Sequence, residues 1–349
     1  MKKIVLPDIA DPADPSRWLA ACPIHSTTTL RPLDALAASL GWSLVYAKDE
    51  TDRMGLGSFK ALGGAYAVLC LVRDRLREVL KQEPSINDIK AAKGGDALCD
   101  LTVCCASAGN HGLSVAAGAM VFGVPCEVFL AKSVPESFAD RLRGKGATVV
   151  RVGAVYEDAM AAAVAHSHDD GVTLVSDASW EGEMHVPSLV MQGYAVIADD
   201  IYREFSHTND WPTHVALQAG VGGIAASVTA HIRRHWPIQP KIIVVEPDRA
   251  ACLKNSVAAG HSVRADGLVS NMGRLDCKEP SLRAFEVLRE MADCFVLISD
   301  EQALTAESLL RDHGLLTTPS GAAGLAGMIQ YMPDPDARVL ILVTEGEVA

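Results

Sequence analysis

Lys60 lies in Gly57-Ser58-Phe59-Lys60-Ala61-Leu62-Gly63-Gly64-Ala65-Tyr66, after a hydroxyl and an aromatic and at the start of a predicted helix. A lysine amine partly desolvated by packed backbone has a lowered pKa and becomes a nucleophile. The chemistry open to it is a Schiff base with a carbonyl compound. Gly55, Gly57, Gly63 and Gly64 crowd around it where an ordinary helix prefers Ala or Leu. They predict the close approach of another body, which a bound cofactor would be. Alone, a lysine in a helical pattern is a solvated residue, so the rest of the chain must supply its partners.

Four more segments carry candidate chemistry. Ser107-Ala108-Gly109-Asn110-His111-Gly112 follows an apolar run and opens a helix, where free backbone N–H groups suit an anion. The same residues also make a capped turn. Gln218-Ala219-Gly220-Val221-Gly222-Gly223-Ile224 again joins a buried strand to a helix. Its glycines fit a phosphate cradle, or a ligand-free turn. It is neither a dinucleotide fingerprint nor a Walker sequence, which favours a single phosphomonoester. Thr317-Thr318-Pro319-Ser320-Gly321 precedes a third helix, and Ser320 is either a polar contact to a buried heteroatom or part of a cap. Asp177, in Ser176-Asp177-Ala178-Ser179-Trp180-Glu181-Gly182, falls at the carboxyl end of a strand, where a catalytic acid or a turn aspartate would sit. Together the lysine and the glycine loops point to a pyridoxal-phosphate (PLP) enzyme.

The elements that must position these residues alternate. Apolar runs at 101–106, 126–131, 148–152, 173–175, 214–218, 242–245, 294–298 and 339–343 read as strands. Helical stretches at 110–122, 135–144, 187–204 and 223–235 lie between them. Alternation of this kind predicts an α/β fold of two parallel-sheet domains with helices on both faces. The boundaries expected are 1–67 with 197–349 for a large cofactor-binding domain and 68–196 for a small one, with the active site in the cleft between them. The polar stretch 81–96 reads as a surface loop, and Asp199-Asp200, within a helical pattern, reads as facing water.

Composition narrows the function. The chain has 349 residues and a formal net charge of −12, from 43 acidic and 31 basic side chains. That balance disfavours nucleic acid, whose phosphates need compensating cations. No apolar run is long enough to cross a membrane, and Met1–Asp8 carries no leader-like apolar region. The nine cysteines read as small core residues of a reducing cytoplasm, Cys104 and Cys105 among them. No cysteine pair has zinc-ligand spacing. The run His166-Ser167-His168-Asp169-Asp170 reads as a solvated helix end rather than a metal site.

The loops, in this order, resemble the fold-type II PLP enzymes of the tryptophan synthase β family, over roughly 23–345. The resemblance implies that Lys60 carries the cofactor, Asn110 meets its phenolic oxygen, Gly220, Val221, Gly222 and Gly223 hold its phosphate, and Ser320 meets its ring nitrogen. Ser107, Gly109 and His111 would take the substrate carboxylate. Within that family the chain is similar to the diaminopropionate ammonia-lyases, through Lys48 to Gly64, Asp177-Ala178-Ser179-Trp180-Glu181-Gly182 with Met191-Gln192-Gly193-Tyr194, and Thr344-Glu345-Gly346. This implies α,β-elimination on a small L-amino acid, 2,3-diaminopropionate, with Lys60 as base and Asp177 handling the leaving amine. A homodimer is expected. Ala108 departs from that group, which carries Asp before Gly-Asn-His as a base on the face opposite the lysine. Ser-Ala-Gly-Asn-His is the form of serine and threonine dehydratases. A hydroxy-amino-acid dehydratase and a cysteine-synthase-like β-replacement transferase are the alternatives.

Overall fold

The computed structural model describes residues 7–347, so the leader reading of Met1–Asp8 lies almost wholly outside the described residues. In chain order the elements begin with α1 (Ala13–Leu19), β1 (Leu30–Pro32), α2 (Asp34–Leu40), β2 (Leu44–Asp49), α3 (Lys60–Leu80) and α4 (Ile86–Ala91). β3 (Thr102–Ala106), α5 (Asn110–Phe122), β4 (Cys126–Leu130), α6 (Glu136–Arg143), β5 (Thr148–Arg151), α7 (Tyr156–His166) and β6 (Val172–Leu174) follow. After α8 (His185–Thr208) come β7 (His214–Gln218), α9 (Gly223–His235), β8 (Lys241–Pro247), α10 (Cys252–Ala259), α11 (Leu282–Met291), β9 (Cys294–Ile298), α12 (Asp300–Asp312), α13 (Pro319–Tyr331) and β10 (Arg338–Val343).

The strands form two sheets, one in the order β1-β2-β10-β7-β8-β9 and one in the order β5-β4-β3-β6. All pairings are parallel except β1 with β2. Parallel inner strands are covered on both faces, so they are apolar throughout: Val215, Ala216, Leu217 and Val339 to Val343 are buried. In a parallel sheet all loops after the strands leave from one edge, and ligands bind there. The loops after β3, β6 and β7, with the first turns of α5 and α9 that follow two of them, hold every candidate residue except Lys60 and Ser320.

Helices α5, α3, α8 and α9 pack in series, each against the next. This packing corrects the reading of two glycines beside Lys60. A Cβ on Gly63 would stand 2.4 Å from the Tyr194 ring of α8, and one on Gly64 would stand 2.6 Å from Ser114 Oγ of α5. The body that approaches these glycines is a neighbouring helix, not a cofactor.

Two more expectations change. The stretch 81–96 contains α4, whose start is a capping box: Ser85 Oγ accepts from Asp88 N–H, and Asp88 accepts from Ser85 N–H. Ser-x-x-Asp before an apolar residue is a readable signal for it. Asp200 does not face water. It is buried, its Oδ2 3.0 Å from Arg53 Nη2 and 3.5 Å from Lys48 Nζ. Glu50 pairs bidentately with Arg53 at 2.7 and 2.8 Å, and Thr28 donates to Glu50. Two cations and two carboxylates thus neutralise each other out of water and pin β2 to α8. Removing one member strands a buried charge. Asp200→Ala is expected to cost about 3–5 kcal/mol, read from the urea midpoint of unfolding.

Candidate active site

Lys60 is the first residue of α3, and the turn before it is stitched to the end of β10. Phe59 N–H donates to Thr344 O at 3.1 Å, and Gly346 N–H donates to Gly57 O at 3.1 Å. Asp177, just past β6 of the other sheet, meets Lys60 Nζ in an ion pair and hydrogen bond. Burial pulls the lysine down, but the charge and hydrogen bond of Asp177 outweigh it, and the ammonium is held above the usual lysine value. The expectation of a lowered Lys60 pKa is therefore reversed in the protein without substrate. Burial pushes Asp177 up, yet the charge and hydrogen bond of Lys60 hold it well below the usual carboxylate range. Tyr194 borders the pair, its ring 4.9 Å from Phe59, and its buried Oη has no hydrogen-bond partner among the described residues. Burial pushes that phenol up to about 12.

In the loop after β3, Ser107 Oγ accepts from Gly109 N–H at 3.2 Å and Gly112 N–H at 3.1 Å. These N–H groups belong to the start of α5 and are the donors an incoming anion would meet. His111 is occupied otherwise. Its ring is buried with Nε2 2.8 Å from Val175 O, and burial lowers its pKa, so the imidazole is neutral and Nε2–H donates. Its other ring nitrogen, Nδ1, is buried and has no hydrogen-bond partner among the described residues. Asn110 Nδ2 donates to Glu345 Oε2 and keeps a second amide hydrogen.

The glycine loop after β7 leads into α9, and no side chain caps that helix. Gly222 has φ +96°, a left-handed conformation, and a Cβ there would lie 3.0 Å from Ala284 and Leu253. Substitution at Gly222 would thus disturb packing as well as any ligand. Gly223 is the cleaner probe, because a Cβ there meets Met191 and Tyr194 only at 3.6–3.7 Å, ordinary contact distance. Gly223→Ala should keep the melting temperature and cofactor affinity. Gly223→Asp should keep the fold but weaken PLP binding by roughly tenfold or more in equilibrium dialysis, by placing a like charge at the helix start.

Ser320, in the first turn of α13, accepts Arg274 N–H on Oγ at 3.2 Å, so its own proton remains free to donate. Thr318 caps that helix and donates to Glu345 Oε1 at 2.6 Å. Three residues absent from the sequence-derived site thus stand in it: Tyr194, Glu345 and Arg274. The first two were visible only inside longer stretches of resemblance. Arg274 lies in the irregular segment between α10 and α11, which has no periodicity to flag it. Cys277, from the same segment, faces Gly220, where a Cβ would lie 2.9 Å from its sulfur. It borders the candidate site and is not fully buried, so it is not one of the core cysteines, and burial pushes its thiol up to about 11.

The donor set fits a phosphorylated aromatic aldehyde with a ring nitrogen. It comprises an amine, an uncapped glycine-rich helix start, a hydroxyl with a free proton, an amide with a spare hydrogen and an orphaned buried phenol.

A family model described as pyridoxal-phosphate dependent enzyme matches residues 22–345. Diaminopropionate ammonia-lyase of Escherichia coli strain K12 is 32% identical over 343 residues, covering 93% of this chain and 85% of that protein. The biosynthetic L-threonine dehydratase of Salmonella typhimurium strain LT2 is 28% identical over 326 residues, covering 92% of this chain and 56% of that protein. The holo crystal structure of the Escherichia coli diaminopropionate ammonia-lyase superposes with a TM-score of 0.86 at 30% identity, covering 97% of this chain and 89% of that one. Its complex with D-serine superposes with a TM-score of 0.85 at 29% identity, covering 98% and 91%.

Proposed function

The chain belongs to the family of pyridoxal-phosphate-dependent enzymes that includes diaminopropionate ammonia-lyase, and on that premise we propose that it eliminates the β-amino group of L-2,3-diaminopropionate, with pyruvate and ammonia as products. The observation that carries the reading is the Lys60–Asp177 pair, a base at the start of α3 and a carboxylate just past β6 that meet although 117 residues apart in sequence.

PLP supplies, when bound, the conjugated system that accepts the electron pair left by the α-proton. Lys60 would hold its aldehyde carbon, the 220–223 turn its phosphate, Asn110 its phenolic oxygen and Ser320 its ring nitrogen. Lys60 Nζ takes the α-proton when neutral. Asp177 holds the lysine as ammonium in the free protein, and the β-ammonium of the substrate is an alternative cation for it. Asp177 thereby keeps the proton on the departing nitrogen, which leaves as ammonia. Water converts the released enamine to pyruvate and a second ammonia. Ala108 has no proton acceptor, so Lys60 is the base in reach of the α-carbon and the L-isomer is the substrate.

The second reading is a hydroxy-amino-acid dehydratase, favoured by Ser-Ala-Gly-Asn-His and by the threonine dehydratase similarity. Incubation with L- and D-diaminopropionate, L-serine, L-threonine, and O-acetylserine plus sulfide, following keto acids, separates these readings. Turnover of L-diaminopropionate above all others supports the proposal. Turnover of serine or threonine alone replaces it with the dehydratase.

We also read residues 1–67 with 197–349 as the large domain, 68–196 as the small one and the cleft between them as the active site, which fits the two separate sheets. A cytoplasmic homodimer completes the proposal. Nine free cysteines suit a reducing compartment, and light scattering tests the dimer. Among the described residues no helix is long and apolar enough to cross a membrane.

A further inference from the structure

We propose that Arg274 anchors the substrate carboxylate and makes this site selective for free amino acids over their amides. The assignment rests on the amino-acid-lyase reading above and names the residue that recognises the acid end of the substrate.

Arg274 starts on the large-sheet side, with its N–H on Ser320 Oγ, and its side chain crosses to the loop after β3. Nη1 donates to Ala108 O at 3.3 Å, and a Cβ on Gly109 would stand 2.8 Å from the same nitrogen. The guanidinium therefore lies on the very loop whose N–H groups suit a carboxylate. Its carboxylate neighbour does not hold it tightly. Glu345 Oε2 lies 3.6 Å from Nε, and both Glu345 oxygens already accept, one from Thr318 and one from Asn110. Among the described residues Nη2 makes no hydrogen bond, and the side chain is 34% exposed. A guanidinium bonded through Nη1 to a peptide carbonyl and facing Glu345 only through Nε, at 3.6 Å, has its Nη2 edge free for an anion.

Arginine stays protonated, so it does not act as the base missing at Ala108, but its planar donors match a carboxylate. The charges then complement a diamino acid. Asp177 faces the β-ammonium and Arg274 the α-carboxylate, while the α-amine is left for the cofactor.

The test uses the holoenzyme and two ligands without a leaving group, L-alanine and L-alaninamide, titrated by calorimetry and by the visible absorbance band. R274Q should weaken L-alanine by roughly 10- to 100-fold and L-alaninamide by less than about 3-fold, with cofactor content unchanged. R274K, which keeps the charge but not the fork, should fall between R274Q and the native protein. The KM for L-diaminopropionate should rise by the factor seen for L-alanine, with kcat within about 3-fold. Equal losses on both ligands, no loss on either, or loss of the cofactor from both variants would overturn the assignment. Alanine binding needs no elimination. A failed diaminopropionate reading therefore shows as absent turnover with the alanine preference intact.

Discussion

Lys60→Ala is expected to lower turnover of L-diaminopropionate by about four orders of magnitude, the upper end of what one positioned base contributes. Pyruvate formation coupled to lactate dehydrogenase measures it. The native holoenzyme, reduced with borohydride and digested, should carry the cofactor's mass on the peptide that contains Lys60. Label on a different lysine contradicts the assignment. The variant has a second signature that a merely structural lysine on a surface would not produce. Asp177 loses its partner in a partly buried cleft, so its carboxyl should titrate well above its native position, and the cofactor-free variant should be less stable near neutral pH.

Asp177→Asn tests the other half of the pair through the leaving group. Diaminopropionate must keep a proton on the departing nitrogen, whereas β-chloroalanine releases chloride without one. The variant should lose roughly 10²- to 10⁴-fold on the diamino acid and less than about tenfold on the chloro analogue. Equal losses would assign Asp177 to binding or folding instead. The same pair sets a pH dependence in the cofactor-free protein. Asp177 is depressed, so its contribution is present above the unfolded carboxylate value, near 4, and lost as pH falls below it. Lys60 is raised, so its contribution is present below the unfolded lysine value, near 10, and lost as pH rises beyond it. The stability difference between native protein and Asp177→Asn should therefore be flat between these limits and shrink outside them, as thermal melts across pH would record.

Much of the architecture was legible because it is local. β7 and β9 begin and end where the apolar runs do, and the other predicted strands agree within two residues. A parallel strand buried on both faces must be apolar along its length, and a glycine-rich turn must follow when a helix starts at its end. β2 escaped notice for the opposite reason. Lys48 and Asp49 made Leu44–Asp49 look polar, and the Thr28 carbonyl together with Asp200 of α8 lets that lysine sit inside. The polar pair Asp199-Asp200 misled for the same reason.

The candidate site divides along that line. From the chain alone came the lysine at a helix start, the asparagine and glycine loops after strands, Ser320 at the head of α13 and Asp177 beyond β6, since each is marked by its immediate neighbours. Tertiary structure alone decided what these groups do to one another. Lys60 and Asp177 are 117 residues apart in sequence, and their contact turns an expected low lysine pKa into a high one. Gly63 and Gly64 serve helix packing, one ring nitrogen of His111 meets Val175 O, and Arg274 reaches the loop after β3 from a segment with no pattern. Backbone conformation depends on residues a few positions away, which a sequence displays. Protonation and packing depend on distances through space between residues far apart in the chain, which exist only once the chain has folded.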